Sequence, residues 1–213
     1  MKTTTLSLVL MMCLSGCTLM RTDARLDYRP DAQVVPEVAE QLNGVSLRGV
    51  VVTDARKEAF APNKRIEDPR VLLNKRNGHG HKMEGVYALD KPLADYVAQA
   101  FDAALLKAGV TRSAASPLEL RVRLDILDDT VVRRGWTKSR TDLVLVAYVE
   151  VFNIDGGNEV WHKRYVGRAQ IKHQGMVFVG IDDYVVTLPG TLNNLAAQCL
   201  ATPEFRAAVK AAL

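Results

Sequence analysis

Leu118-Glu119-Leu120-Arg121-Val122-Arg123-Leu124-Asp125-Ile126 is the stretch on which the fold turns. Aliphatic residues hold every even position and charged residues every odd one. A period of two belongs to a β-strand with one face buried and the other in water, whereas a helix would spread both classes around its circumference. Two later segments carry the same signature. In 143–152 both parities are apolar, Leu143, Leu145, Ala147, Val149 and Val151 on one and Val144, Val146, Tyr148 and Phe152 on the other, which suits a central strand. In 160–172 the side chains of Trp161, Tyr165, Ala169 and Ile171 are expected inward, with His162, Arg164, Arg168, Gln170 and Lys172 outward. Asp155-Gly156-Gly157 between them is hairpin-turn chemistry.

Residues 45–53 read as a first core strand, with Val45, Leu47 and Val51 alternating with smaller or polar residues. Asp90 is placed as an N-cap, Pro92 in the first turn, and Leu93, Val97, Phe101, Ala104, Leu105 and Ala108 form the apolar stripe of a helix that Gly109 ends. Residues 191–200 read as a second helix with Pro189 near its start, and 204–212 as a third, opened by Thr202-Pro203-Glu204. The order β-α-β-β-β-α-α predicts an α+β fold: a four-stranded, mainly antiparallel sheet with helices packed on one face. Its expected core joins Leu93, Val97, Phe101, Leu105, Leu120, Val122, Leu124, Leu145, Val149, Trp161 and Tyr165.

The N-terminus reads as an address. Met1 to Cys17 is MKTTTLSLVLMMCLSGC, with Lys2 before an apolar run of nine residues, 6–14. A bilayer-spanning helix needs about 20 apolar residues, so the run is a signal sequence and no lasting anchor. Leu14-Ser15-Gly16-Cys17 resembles a bacterial lipobox, which makes Cys17 the site of acylation. The expected division is a lipoprotein signal peptide at 1–16, a lipidated tether at 17–43 with Pro30 and Pro36, and a single α+β periplasmic domain at 44–213. By resemblance to bacterial lipoproteins, Thr18 after the lipidated cysteine favours the outer membrane, with palmitate among the acyl chains and the domain on the periplasmic face. Removal of 1–16 also removes Cys13, leaving Cys199 without a disulfide partner, on a predicted helix face with Leu192, Leu195 and Ala196, as a buried structural thiol.

Composition narrows the functional classes. The 213 residues carry a net charge of +4 with 48% apolar residues, an ordinary globular balance without the basic excess of a nucleic-acid binder. No phosphate-cradling GxxxxGK[ST], no GxGxxG, no nucleophile elbow and no framed pair of carboxylates occurs, so no catalytic residue, cofactor or enzymatic activity is expected. Asp128-Asp129 and Asp182-Asp183 read as strand-end solvation or a helix cap. His79 and His81 lie two apart in a Gly-rich stretch with no further clustered ligand, which reads as a solvated loop and gives no metal site.

Two surfaces remain for binding. Residues 54–90 read as a long irregular connection, and between Arg56 and Lys82 eight Lys or Arg face three acids, suited to anionic headgroups or an acidic partner. The other surface is the outer face of the sheet, where Arg121, Arg123, Arg164 and Arg168 surround Tyr148 and its apolar neighbours. These five residues are the predicted binding site. The bland alternative is that the arginines only solubilise the sheet, paired with Glu119, Asp125 and Glu150.

Four features together resemble the YajG-type uncharacterised bacterial lipoproteins. They are the lipobox at 14–17, the strand end Val50-Val51-Val52-Thr53-Asp54-Ala55-Arg56, the segment from Gly85 through Leu93, Ala100 and Leu105 to Gly109, and the alternating 118–126. The resemblance implies an exported lipoprotein and supplies no catalytic residue. The expected function is a non-enzymatic, outer-membrane-anchored periplasmic lipoprotein. It is held by its acyl chains and binds an envelope protein or an anionic glycolipid. A similarity of element order to lipopolysaccharide-assembly lipoproteins gives the alternative, an auxiliary lipoprotein of a lipid or lipopolysaccharide transport system.

Overall fold

The computed structural model describes residues 21–31, 33–58, 61–76, 82–134, 138–174 and 181–211. The signal sequence, Cys17, His79 and His81 lie outside them. Nine strands and four helices are described: β1 (Thr22–Ala24), α1 (Pro36–Leu42), β2 (Ser46–Leu47), β3 (Val50–Asp54), β4 (Val71–Arg76), β5 (Lys82–Ala88), α2 (Leu93–Lys107), β6 (Thr111–Arg112), β7 (Leu118–Arg134), β8 (Lys138–Asn153), β9 (Asn158–Gln174), α3 (Ile181–Ala201) and α4 (Pro203–Ala211).

The fold is α+β, as expected. Its main sheet runs β3-β7-β8-β9, antiparallel except for the parallel pair of β3 with β7. The inner face is aliphatic: Leu118, Leu120, Val122 and Leu124 on β7 and Leu143, Leu145, Ala147, Val149 and Val151 on β8 are all buried. Against it pack α2, whose Leu93, Val97, Ala100, Phe101 and Ala104 are closed to water, and α3, whose Leu188, Leu192, Leu195, Ala196 and Cys199 are likewise. Every residue of the expected core is buried except Trp161, which is partly so. Each such side chain contributes roughly 1.5–3 kcal/mol through removal of apolar surface from water.

Four expectations about the strands and the N-terminal segment need correction. The strict alternation of β7 breaks at a bulge between Leu124 and Ile126. An extra residue reverses the side-chain phase, so Ile126 turns outward at 44% exposure and Leu127 takes the inner place. The first strand is two pieces, β2 and β3, separated at Arg48-Gly49. The third concerns 54–90, which is not one irregular connection. β4 and β5 pair antiparallel, and β5 also takes β1 as a parallel neighbour, giving a second sheet of order β1-β5-β4.

The fourth concerns 17–43, which is not a free tether from Thr22 onward. Ala24, Leu26, Tyr28, Val38 and Leu42 are buried in the same core, and the Tyr28 hydroxyl donates to Asn193 Oδ1 at 2.7 Å. Alternating apolar residues at 24, 26 and 28 found a face to fill despite their charged neighbours.

The ends of the helices follow local chemistry. Gly109, at φ +79°, closes α2 in a conformation that costs an L-residue energy. Asp90 does not cap α2; its carboxylate accepts from the Tyr96 hydroxyl at 2.5 Å. α3 begins ten residues earlier than 191, because helical backbone continues through Pro189. Beside that proline, Thr187 and Thr191 hydroxyls donate to the carbonyls of Asp183 and Thr187, so local side chains share in the hydrogen bonding.

β9 is an outer strand of the main sheet, and α3 reaches round to it. Asn194 Oδ1 accepts from the Arg168 backbone N–H at 2.9 Å, and Gln198 Nε2 donates to the Val166 carbonyl at 3.2 Å. The two side chains also bond each other, Gln198 Nε2 to Asn194 Oδ1, at 2.6 Å.

The motif Asp54-Ala55-Arg56 is structural. The Arg56 side chain is 3% exposed. Its Nε and Nη2 donate to the two Asp54 carboxylate oxygens at 2.9 and 2.7 Å. Nη1 and Nη2 donate to the carbonyls of Leu72 and Val71. One guanidinium thus ties the end of β3 in the main sheet to the start of β4 in the other.

Candidate functional site on the outer sheet face

The register brings the predicted residues onto one surface. Arg121 lies opposite Glu150, Arg123 opposite Tyr148, Tyr148 opposite Arg164, and Arg168 opposite Val144. All five face away from the helices, as alternation requires. Arg121 and Tyr148 are half-buried, while Arg123, Arg164 and Arg168 are exposed.

The arginines of β7 are held by both charge and rings. Arg121 Nε donates to Glu119 Oε1 at 2.8 Å, Glu150 lies 3.8 Å away, and the guanidinium carbon sits 3.4 Å over the centroid of Phe152. Arg123 Nε donates to Asp125 Oδ1 at 3.1 Å and its carbon lies 4.8 Å over the Tyr148 ring. Tyr148 stacks in turn on His162 at 5.0 Å with the planes 25° apart, and His162 Nδ1 contacts Glu159 Oε1. Pairing with Glu119, Asp125 and Glu150 is therefore present on β7. On β9, Arg164 and Arg168 have no ion-pair partner among the described residues.

The phenol of Tyr148 is pushed up from its ordinary range by desolvation and by Glu159 and Glu150, against the pull of Arg123, so it remains a neutral donor. Beside this row lies an apolar strip. Ile126 pairs with Val146 and Val146 with Val166, and Val146 is only 6% exposed although it lies on the solvent side. Sequence parity identified Val144, Val146 and Tyr148 for this face but missed Ile126. The signal was the adjacent pair Ile126-Leu127, two aliphatic residues in succession after four alternating ones, which marks a phase slip.

Other candidates do not assemble. Arg56 is spent inside the fold, and Arg70 is bound to Asp68 at 3.0 Å, so the basic segment between 56 and 82 offers fewer free charges than its composition suggested. Asp129 is buried and accepts from the Tyr184 hydroxyl at 2.9 Å instead of solvating a strand end. Asp182 and Asp183 occupy the first turn of α3, where negative charge suits the helix dipole. Cys199 is closed to water and burial pushes its thiol well up, which removes the thiolate that nucleophilic chemistry needs. A groove of about 460 Å³ between α2 and the β2 and β3 edge is walled by Leu47, Val50, Leu105 and Leu106, with the Asp102–Arg112 ion pair at its rim. Among the described residues no three His, Cys, Asp or Glu side chains gather closely enough to hold a metal ion, and no helix is long and apolar enough to cross a membrane.

No family model and no curated protein matches the chain. Among solved structures, a Xanthomonas campestris protein of the family model DUF330 superposes with a TM-score of 0.59 at 10% identity, over 89% of this chain and 99% of that one. A Caulobacter crescentus protein described as a candidate lipoprotein gives 0.36 at 10% identity, over 82% and 93%. PelC from Paraburkholderia phytofirmans gives 0.34 at 15% identity, over 75% and 89%. The first match shows a shared fold over nearly the whole chain.

Proposed function

We propose that this chain is a non-enzymatic lipoprotein of the bacterial envelope. It is exported, acylated on Cys17 and held at the periplasmic side of the outer membrane, and it binds an envelope partner with the outer face of its main sheet. The address rests on the lipobox, and the finer kinship with YajG-type lipoproteins rests on the sequence motifs named above.

The observation that carries the binding role is the row Phe152–Arg121 and His162–Tyr148–Arg123 laid beside the Ile126, Val146 and Val166 strip. Guanidinium groups flattened on aromatic rings have already lost much of their side-chain freedom, so they add contact area to a partner at reduced entropic cost. Arg and Tyr are also the residue types that dominate interface energetics. Arg164 and Arg168 supply positive charge at the margin, so the complementary patch on the partner is apolar at its centre with carboxylates or phosphates at one edge.

The test is a photocrosslinking residue placed at position 148 in intact cells, with position 186 on the exposed side of α3 as control. A partner adduct is expected at 148 and not at 186, and it is expected to vanish with Arg164→Glu while the domain stays folded. Equal crosslinking at both positions would remove the sheet face from consideration. Cys17→Ser is expected to release the chain from membranes, and unchanged fractionation of that variant would overturn the anchoring.

A further inference from the structure

β3 is a terminal strand of the main sheet, and its bonds to β7 show what its other edge offers. The Gly49 carbonyl accepts from the Leu120 N–H and the Ala55 N–H donates to the Leu124 carbonyl, so the odd-numbered residues of β3 bond to β7. Successive residues of a strand turn their N–H and C=O groups to opposite sides. The backbone groups of Val50 and Val52 therefore point away from β7, and among the described residues they meet no hydrogen-bond partner. The edge at β9 differs, since Asn194 and Gln198 bond to its mid-strand groups.

Apolar surface flanks the open edge on both faces of the sheet. On the inner side lies the groove of about 460 Å³ walled by Leu47, Val50, Leu105 and Leu106, with Leu106 75% exposed. On the outer side Val51 is 45% exposed. A strand laid along β3 would alternate its side chains between these two surfaces. β3 carries no lysine, proline or bulge of the kind that discourages such addition.

Charge marks one end of the edge. Arg48, just before β3, is exposed; its Nε donates to the Ser116 carbonyl at 3.3 Å, and it meets no carboxylate among the described residues. Arg112 at the groove rim is already paired with Asp102, so Arg48 is the cation left for an incoming acid. Size selects the occupant. A stable contact between two copies takes about 800 Å² and about 20–30 residues from each side, whereas β3 offers five residues. A short extended segment needs only an edge and alternate side-chain pockets.

We propose that β3 accepts an extended segment of a partner protein as a further antiparallel strand. Its inward side chains are aliphatic and sit in the groove, and a carboxylate near its C-terminal end pairs with Arg48. The site is separate from the outer sheet face and stands whether or not that face binds.

The test uses the mature chain, residues 17–213, with Cys17→Ser, and a fluorescein-labelled peptide of alternating valine and threonine that ends in glutamate. Saturable binding is expected in fluorescence anisotropy, with slowed hydrogen exchange of the Val50 and Val52 amides. Leu106→Asp alters an exposed side chain of the groove and is expected to weaken binding about tenfold, as is Val52→Pro, which removes a donor that β7 does not use. The same peptide N-methylated at the amides that face β3 is expected not to bind the parent chain, a result that no misfolded variant can mimic. Arg48→Gln is expected to weaken the peptide ending in glutamate but not one ending in glutamine.

Absence of saturable binding, or undiminished binding of the N-methylated peptide, would overturn strand addition. Equal binding by Leu106→Asp would remove the groove, and equal binding by Arg48→Gln would remove the acidic end. Self-association of the parent chain that Val52→Pro abolishes would overturn the choice of occupant in favour of a second copy.

Discussion

Arg56 shows how little a charge on its own says about exposure. It is among the most buried polar side chains described, yet its guanidinium meets a carboxylate and two carbonyls, which satisfies the donors that burial would otherwise leave costly. Removing it strands the Asp54 carboxylate and frees two backbone acceptors. Arg56→Ala is expected to cost about 3–5 kcal/mol of unfolding free energy in urea titration, and Arg56→Lys to recover only part of that, because an ammonium lacks the planar fork. A loss below about 1 kcal/mol would mean the clasp does not join the sheets.

A second residue-scale consequence concerns alkali. Burial pushes the Cys199 thiol and the phenols of Tyr28, Tyr96 and Tyr165 well up from ordinary values near 9 and 10. The folded chain keeps these protons while the unfolded chain releases them as pH passes those values. Above about pH 9 the unfolded state therefore binds fewer protons and stability falls with pH; below it these groups impose no penalty. The urea midpoint is expected to hold between pH 7 and 8.5 and to drop progressively toward pH 11. Cys199 is expected to resist thiol reagents until denaturant is added, and prompt labelling of the native chain would contradict its burial.

Among the elements, β9 and α3 meet with no room for a side chain at Gly167. A Cβ added at Gly167 would stand 2.5 Å from the Thr191 carbonyl oxygen and 2.8 Å from Leu195 Cβ, so strand and helix touch through a missing side chain. Gly167→Ala is expected to destabilise by about 1–3 kcal/mol through overpacking. Gly49→Ala meets nothing within 4 Å and serves as the control, expected near neutral by thermal melt. Equal melting of the two variants would show that α3 moves away from β9 without cost. The same junction explains why α3 is longer than its sequence suggested. Pro189 reads as lying near the start of a helix at 191, but Leu188, Thr191 and Leu192 on either side of it are buried, and burial carries the helix back through the proline to Ile181.

At the scale of the whole molecule, what was legible followed period and what was hidden followed partnership. The alternation of 118–124 and the stripe of Leu93, Val97 and Phe101 declared the main sheet and its covering helix, because one buried face imposes a regular spacing. Ala24, Leu26 and Tyr28 alternate too, but over only three positions among charged neighbours, which reads as no more than a short edge strand, and their burial depends on α3 and the second sheet arriving from elsewhere in the chain. The candidate site was legible to the same degree. Parity placed Arg121, Arg123, Tyr148, Arg164 and Arg168 on one face, but the ring beneath each guanidinium of β7 depends on cross-strand register, which only pairing sets.

The clasp of Asn194 and Gln198 on β9 bears on why the main sheet stops where it does. A strand 17 residues long with its outward N–H and C=O groups open would template a further strand from any neighbouring chain, and growth of that kind has no natural end. Two amide side chains occupy the mid-strand groups of Val166 and Arg168, where such growth would have to register. Asn194→Ala with Gln198→Ala is expected to leave the fold intact but raise concentration-dependent self-association in sedimentation velocity above that of the parent chain. Identical sedimentation of the two would locate the guard against runaway β-polymerisation elsewhere, in the charges that β9 carries along its outward side.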